Sequence, residues 1–224
     1  MSFFPIVPPP LNVLSFVMED HKFDDGAAQS YSFSVSTGSA TSDRLVLVFL
    51  VASNSGSVAS VSITGGASTS QVGTVSTNTG NICRIALWQA VVSSGTSATV
   101  SISFTDVKAG CMVTVVAVRG GANLTPVDIQ TKANTGSGTN SVTLSHTLNG
   151  VAFGYAGLHQ SGSDPTSATW TGLTELLDEV AAAGERRLQT FAGDTISTTG
   201  TTSVQMVPNN VEDSGHIAVS YAPT

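Results

Sequence analysis

The sequence predicts an all-β protein in which antiparallel sheets pack as a β-sandwich. Apolar and polar residues alternate with a period of two along much of the chain, and short segments containing Gly or Asn separate the alternating stretches. Such alternation is typical of strands that bury one face in a core and expose the other to water. A third observation, an internal repeat, indicates how many strands share that core.

Three segments alternate in this way with serine or threonine on the polar side, namely residues 29–36, 98–104 and 141–146. Two others, 44–52 and 111–120, are more continuously apolar and rich in β-branched residues, which predicts central strands covered on both faces. Asn149 and Gly150 form a strong turn signal, and we expect a β-hairpin there. Residues 173–183 have some helical character, but the internal repeat favours a strand and a turn.

The chain repeats itself once, with an offset of about 105 residues. Residues 29–120 form one half, residues 140–222 form the other, and residues 121–139 connect them. Each half supplies too few strands to cover its own apolar face well, so the two halves are expected to share a core. We therefore predict that residues 29–224 form one sandwich of about ten to twelve strands with an internal pseudo-twofold repeat. Two independent small sandwiches are the alternative.

Few residues are charged, and this excludes several classes of function. Charged side chains make up 10% of the chain, against about 25% in an average soluble domain, whereas Ser and Thr make up about a quarter. A net charge of −7 does not suit binding to the phosphates of a nucleic acid. The longest apolar run, Leu45–Ala52, is too short to cross a membrane.

The N-terminus lacks the basic region of a signal peptide, so we expect the protein to stay inside the cell that makes it. Reduced thiols at Cys83 and Cys111 fit such an origin. A single disulfide between them is the alternative.

An N-terminal arm, residues 1–28, precedes the repeat. Its first part combines aromatic and aliphatic side chains with prolines that favour an extended backbone. Such a segment is prone to associate when exposed, so we expect it to anchor the protein to a partner. The residues expected to make this contact are Phe3, Phe4, Pro5, Ile6, Val7 and Leu11. The alternative is a strap over the chain's own sandwich.

The motifs that carry catalysis are missing from this sequence. It has no Gly-x-Ser-x-Gly, no phosphate-binding glycine loop with Lys and no His-Glu-x-x-His, and its histidines are scattered. Asp24, Asp25 and Gly26 resemble a calcium loop, but a solvated turn is the simpler interpretation. We predict no enzyme activity, no metal and no cofactor. A glycosidase, which needs two facing carboxylates, is the weaker alternative.

Trp88 and Trp170 are the only tryptophans, and each falls within a predicted strand. A place in the core is the simpler interpretation for both. The alternative is a carbohydrate-binding platform, because an exposed indole face stacks on a sugar ring.

Four segments of the chain carry a strand pattern that resembles a known protein family. The segments that carry the likeness are LVLVFLV (45–51), VASVSITGGAS (58–68), IALWQAVVSSGTSATVSISFT (85–105) and CMVTVVAVRG (111–120). They are similar to jelly-roll-like β-sandwich proteins of tailed bacteriophages, which decorate heads, form spike bases or belong to tail appendages. Similar modules occur as bacterial lectin-like domains. The likeness covers most of residues 29–222 and brings no catalytic residues with it.

This resemblance implies a jelly-roll-like sandwich and a structural role in a phage particle. We expect a head-surface or vertex decoration protein, assembled in the bacterial cytoplasm and anchored in the virion by its N-terminal arm. The expected partners are other virion proteins, such as major capsid, portal or tail proteins, and further copies of the chain in a trimer or pentamer. The alternative is a carbohydrate-binding module, or the receptor-binding part of an appendage that contacts host polysaccharide.

Overall fold

The computed structural model describes residues 12–53, 56–77, 83–136, 138–160, 167–180, 187–209 and 213–224, except for the side chain of Arg187. These residues form sixteen β-strands and no helix, which confirms the predicted all-β class. The strands are β1 (Ser15–Asp24), β2 (Ala28–Ser36), β3 (Leu45–Ser53), β4 (Val58–Ile63), β5 (Ser70–Ser76), β6 (Cys83–Val91), β7 (Ser97–Lys108), β8 (Cys111–Arg119), β9 (Asp128–Thr135), β10 (Asn140–His146), β11 (Val151–His159), β12 (Ser167–Thr171), β13 (Glu175–Val180), β14 (Arg187–Thr195), β15 (Gly200–Asn209) and β16 (Asp213–Tyr221).

The strands assemble into four antiparallel sheets, two in each half of the chain. In the first half, strands in the order β1-β8-β3-β6-β5 form the N-terminal inner sheet, and β2-β7-β4 form the N-terminal outer sheet. In the second half, β9-β16-β11-β14-β13 form the C-terminal inner sheet, and β10-β15-β12 form the C-terminal outer sheet. Adding eight to each strand number in the first half therefore gives the strand order of the second.

The pairing of residues follows the same rule. Leu45, the first residue of β3, lies opposite Val91, the last residue of β6. Val151, the first residue of β11, lies opposite Thr195, the last residue of β14. Positions in the two halves can therefore be matched by register as well as by strand order.

Three hydrophobic cores separate the four sheets, and the central strands explain why. Every residue of β3 is buried, because Phe49 and its alternate neighbours face the core between the two inner sheets while Leu50 and its alternate neighbours face the N-terminal outer sheet. In β11, Tyr155 faces the same central core and Ala156 faces the C-terminal outer sheet. The predicted two-sided burial of residues 44–52 and 111–120 is thus confirmed.

The central core joins the two halves through aromatic rings. The ring of Phe49 lies 5.3 Å from that of Tyr155 and 5.5 Å from that of Phe191, measured between centroids. Phe16 of β1 meets Phe153 edge to face at 4.9 Å. The molecule is therefore a stack of four sheets, in which each half is a small sandwich and both share one central core.

The number of strands exceeds the ten to twelve predicted, in part because two polar edge strands were not recognised. β1 lies within residues 1–28, predicted as an arm, and β9 lies within residues 121–139, predicted as a connection. Each is an edge strand of an inner sheet with one face on the core, so its apolar pattern is weak. In β1, a bulge between Met18 and Asp20 also breaks the alternation.

The β-hairpin predicted at Asn149–Gly150 is wrong, although the turn itself exists. Asn149 has a φ of 63°, in the left-handed region that this residue tolerates. However, β10 and β11 belong to different sheets, so the turn passes the chain from the outer to the inner sheet. The strand predicted within residues 173–183 is confirmed as β13.

Cys83 and Cys111 are buried and not joined by a disulfide. They belong to β6 and β8, which lie on opposite sides of β3, and their side chains enter different cores. The alternative of a bridge between them is therefore wrong.

Candidate functional site

The residues predicted to anchor the protein all lie outside the described part of the chain: Phe3, Phe4, Pro5, Ile6, Val7 and Leu11. The described chain begins at Asn12, whose side-chain amide donates a hydrogen bond to the carbonyl oxygen of Thr224 (3.3 Å). The Leu14 N–H donates to the carbonyl oxygen of Asn149 (2.9 Å), and the Leu14 side chain enters the central core. The described chain therefore begins where the two halves of the molecule meet, at what we call the exit point.

Large apolar side chains are exposed around this exit point. Val13 is 60% exposed and Leu148 is 44% exposed, and they flank the hydrogen bond between Leu14 and Asn149. The other exposed large apolar residues of the described chain are Val17, Phe23, Val107, Leu124, Val127, Leu176 and Val207. Only two of the nine, Val107 and Val207, belong to outer-sheet strands. Exposed apolar surface is thus concentrated on inner-sheet edges and connections, which we call the rim.

The outward faces of the two outer sheets carry mainly hydroxyl groups. On the N-terminal outer sheet, the register aligns serines in rows across three strands, Ser30-Ser103-Ser60 and Ser32-Ser101-Ser62. The strands of the C-terminal outer sheet contain no Asp, Glu, Lys or Arg. These faces are hydrated mainly by hydroxyl groups, and Asp106 of β7 is the one exposed charged residue on their described strands.

A groove with a volume of about 460 Å³ opens on the rim, between the edge strands β5 and β9 of the two halves. Its apolar lining consists of Val72, Leu124, Pro126, Val127 and Ile129. Its polar lining consists of Gln71, Gln89, Thr125 and Asp128. A second depression of about 300 Å³ shares Gln89 and Leu124 with it, so the two lie next to each other. The sequence signal for this groove was an apolar cluster within an otherwise polar connection, and it was missed.

The connection that lines the groove is held rigidly. Two of its backbone N–H groups donate to carbonyl oxygens near the C-terminus, Asn123 to Ala222 (2.8 Å) and Val127 to Ser220 (2.9 Å). The Gln89 side-chain amide donates to the carbonyl oxygen of Leu124 (2.6 Å). Gln89 is itself fixed, because its Oε1 accepts a buried hydrogen bond from the Tyr221 hydroxyl (2.8 Å). The groove is therefore preformed.

Asp128 supplies the one carboxylate of the groove lining. Burial acts to raise its pKa, but hydrogen bonds from Ser145 and Gln130 outweigh burial and leave the pKa below its ordinary value. Asp128 is therefore ionised at neutral pH, and its carboxylate already accepts hydrogen bonds from Ser145 and Gln130.

Trp170 cannot act as a carbohydrate platform, because it is only 7% exposed. Its indole N–H donates to the Thr190 hydroxyl (2.7 Å), and its ring meets His216 edge to face at 5.9 Å. The ring also covers Gly154, where a Cβ atom would overlap it. The core role is confirmed, and the platform alternative is wrong for this residue.

Trp88 has a different environment. The N-terminal outer sheet has two strands fewer than the inner sheet, and Trp88 packs at the core between these sheets. Trp88 is half-buried on β6 and lies opposite the exposed Gln71 of β5. Its indole N–H has no hydrogen-bond partner among the described residues. A partly accessible aromatic ring beside an exposed amide is compatible with sugar binding.

The acidic residues have structural contacts. Partial burial raises the pKa of Glu175 and of Asp178, and Asp178 Oδ2 accepts a hydrogen bond from the Ala168 N–H (2.9 Å) that ties β13 to β12. Asp24 Oδ1 accepts from the Gly26 N–H (2.8 Å), which makes this segment a hydrogen-bonded turn. Across the described ranges, no group of three or more His, Cys, Asp or Glu side chains is arranged to hold a metal ion.

No helix that could span a membrane occurs in the described part of the chain. No protein-family model matches the chain, and no curated protein matches its sequence.

Proposed function

We propose that this protein is a structural component of a bacteriophage particle, a head-surface or vertex decoration protein anchored by its N-terminal residues. The observation that carries the proposal is the division of the molecular surface. Two broad faces present mainly hydroxyl groups, while exposed apolar side chains collect on the rim. A protein that covers a phage particle has to adhere to neighbouring proteins and to present an inert surface to solvent. The rim suits the first task, and the two hydroxyl-rich faces suit the second.

The exit point of the N-terminal residues favours the same role. The residues proposed to anchor the protein, Phe3, Phe4, Pro5, Ile6, Val7 and Leu11, directly precede this point in the sequence, where Val13 and Leu148 are exposed. A neighbouring virion protein could bury these apolar groups together. Major capsid, portal or tail proteins are the proposed partners, and assembly would take place in the bacterial cytoplasm.

We further propose that the two halves are jelly-roll-like units related by a pseudo-twofold axis. The identical strand order of the halves and the matching register of β3–β6 and β11–β14 support this. Phe49 and Tyr155 occupy matching positions in β3 and β11, and their rings lie 5.3 Å apart. Contact between matching residues is expected beside a twofold axis.

Deletion of residues 1–11 tests the anchoring role. This truncation keeps Asn12 and the buried Leu14, so the sheets should fold normally, as circular dichroism would verify. In phage made from a genome that encodes the truncated chain, we expect purified particles to lack the protein by mass spectrometry. Normal incorporation of the truncated chain would exclude anchoring by this segment.

The proposed assembly as a trimer or pentamer is tested by light scattering on the full chain. A closed symmetric oligomer is expected for a protein placed at a symmetry axis of the particle. A monomer at all concentrations would mean that any oligomer forms only on the particle, and cryo-electron microscopy of virions would then have to show it.

A second candidate function, carbohydrate binding, is favoured by Trp88 alone. We expect Trp88 fluorescence to shift when host surface polysaccharide is added, with Trp170→Phe as the background that removes the buried indole. No shift across a broad glycan panel would remove this candidate. Trp88→Ala should abolish any binding that is detected, whereas exposed Val207→Ala should not change it.

A further inference from the structure

The preformed groove between β5 and β9 is the feature that the proposed function does not use. Leu124 is 50% exposed and Val127 is 38% exposed, although hydrogen bonds on both sides fix the backbone that carries them. Fixing a connection so that it presents two aliphatic side chains to water costs free energy unless those side chains are covered. The lining therefore points to an apolar occupant.

The N-terminal segment has the matching composition. Residues 1–11 contain two phenylalanines, two β-branched residues, a leucine and four prolines, and they carry no charged side chain. A proline-rich segment of this kind favours an extended conformation, loses little conformational entropy when it docks, and fits a furrow rather than a deep cavity.

The point where the described chain begins places this segment beside the groove. The side-chain amide nitrogen of Asn12 lies 3.7 Å from the position of a Cβ atom built on Gly121. Gly121 is the first residue of the connection that lines the groove. Gly121 and Ile129, at the far end of the lining, are eight residues apart, so the distance between them is at most about 29 Å. Eleven residues in the polyproline II conformation span about 34 Å, which is enough to cover the whole groove.

We propose that in the isolated protein residues 3–11 lie in this groove of their own molecule, against Leu124, Val127 and the apolar floor formed by Val72 and Ile129. The segment is covalently attached at the edge of the groove, so its effective concentration there is about 1 mM or more and exceeds that of any segment supplied by another copy. The groove would thus shelter the apolar segment until a partner competes for it. This inference holds whether or not the protein belongs to a phage particle.

Photo-crosslinking of the full chain tests this proposal. A benzophenone amino acid replaces Leu124, which is exposed and therefore tolerant of change, and the irradiated protein is analysed by peptide mass spectrometry. We expect the photoproduct to join position 124 to residues 1–11 within a single chain, with a yield that does not change over about tenfold dilution. The matched control places the same amino acid at Val207, on an outer face, where no product with residues 1–11 is expected.

Two outcomes would overturn the proposal. A product of dimer mass would show that the groove takes the segment of another copy, and a product that excludes residues 1–11 would show that the segment lies elsewhere. As a second readout, Leu124→Asp should accelerate chymotrypsin cleavage after Phe3, since the bond after Phe4 precedes Pro5 and resists this protease, whereas Val207→Asp should not. Equal cleavage rates in the two variants would also contradict docking. Particle incorporation tests contact of residues 1–11 with another virion protein, whereas crosslinking tests contact of residues 3–11 with the groove. The proposed function and the proposed docking can therefore fail separately.

Discussion

Arg44 is a fully buried cation that holds together two turns of the N-terminal half. Its guanidinium makes five hydrogen bonds, all to backbone carbonyl oxygens: Nε to Val92 (2.8 Å), Nη1 to Thr37 (3.0 Å) and Gly38 (2.6 Å), and Nη2 to Ser94 (2.9 Å) and Gly95 (2.9 Å). Carbonyl oxygens thus replace the water that a buried cation loses. The planar fork of five donors is what makes this possible.

Replacement of Arg44 by Lys should therefore be strongly destabilising despite the retained charge. An ammonium group has three donors and cannot reach oxygens on both turns, so we expect a loss of at least about 2 kcal/mol in unfolding free energy. Urea denaturation measures it. Arg119→Lys is the matched control, because Lys can keep the ion pair with Glu19, and we expect it to lose less than about 1 kcal/mol. Equal losses in the two variants would contradict the argument.

His216 is the second buried ionisable residue with consequences. It is fully buried in the C-terminal half, and neither ring nitrogen has a partner among the described residues. Burial, with a smaller contribution from the charge of Lys132, lowers its pKa to about 4. The imidazole is therefore neutral in the folded protein at neutral pH, whereas in the unfolded chain it titrates near its ordinary value of 6.5.

Acid should therefore weaken the fold through His216. Below pH 6.5 the unfolded chain binds a proton that the folded chain does not bind until about pH 4, so stability falls across that interval. Between pH 7.5 and 5 we expect this residue to account for a loss of about 2 kcal/mol. Urea denaturation of His216→Leu at both pH values should show a smaller loss. Asp178 titrates in the opposite direction but is present in both proteins, so the difference between them isolates His216. An unchanged pH dependence would contradict this account.

At the scale of the element, the two inner sheets approach closely because small residues lie between them. A Cβ atom at Gly157 of β11 would overlap Val51 Cγ2 of β3, and Ile85 lies close to the same point. Gly157 and Val51 occupy matching positions in their halves. A large residue on one sheet is thus accommodated by a glycine on the other.

Gly157→Ala should destabilise the protein by about 2 kcal/mol, because the extra methyl group has no room between the sheets. Addition of Val51→Ala removes the methyl group it meets, so a double-mutant cycle should give a favourable coupling of about 1 kcal/mol. Thermal or urea unfolding of the four proteins measures the coupling. Gly200→Ala is the control, because the nearest atom to a Cβ placed at that position is 3.8 Å away. Additive effects of the two substitutions would mean that the sheets do not meet there.

The elements that sequence predicted are those in which both faces, or one whole face, are apolar. β3 and β8 are buried on both sides, and β2, β7 and β10 alternate cleanly. The edge strands β1 and β9 escaped prediction because charged and amide side chains occupy much of their length. Asn149 correctly predicted a turn, but it did not predict that the strands on either side belong to different sheets. A local sequence signal does not specify which sheet the next strand joins.

At the scale of the whole molecule, the repeat predicted a shared core but not the stack of four sheets. Periodicity places Phe49 and Leu50 on opposite faces of a strand. Only the tertiary structure shows that Phe49 packs against the other half of the molecule and that Leu50 packs against the outer sheet. The groove escaped prediction for the same reason. Its lining comes from β5 and β6 and from the connection with β9, two parts of the chain that are distant in sequence.

The two halves should not be stable apart. Separation would expose the face of each inner sheet that carries the central core, including Phe49 on one side and Tyr155 on the other. We expect residues 12–120 and 121–224, produced separately, to aggregate, and the intact chain to unfold in a single calorimetric transition with equal van't Hoff and calorimetric enthalpies. Two resolved transitions would indicate that the halves fold independently.

The hydroxyl-covered outer faces have a consequence for how the molecule behaves at high density. Its net charge of −7 is carried almost entirely by residues on the inner sheets and connections, so two molecules that approach face to face meet little Coulomb repulsion. Molecules that approach edge to edge do meet it, over a range of about 8 Å at physiological ionic strength. Added salt therefore weakens the repulsion between molecules that meet edge to edge and has little effect on molecules that meet face to face. The interaction between two molecules thus depends on their relative orientation. A coat built with the faces outward would keep the same outer surface from dilute buffer to strong brine.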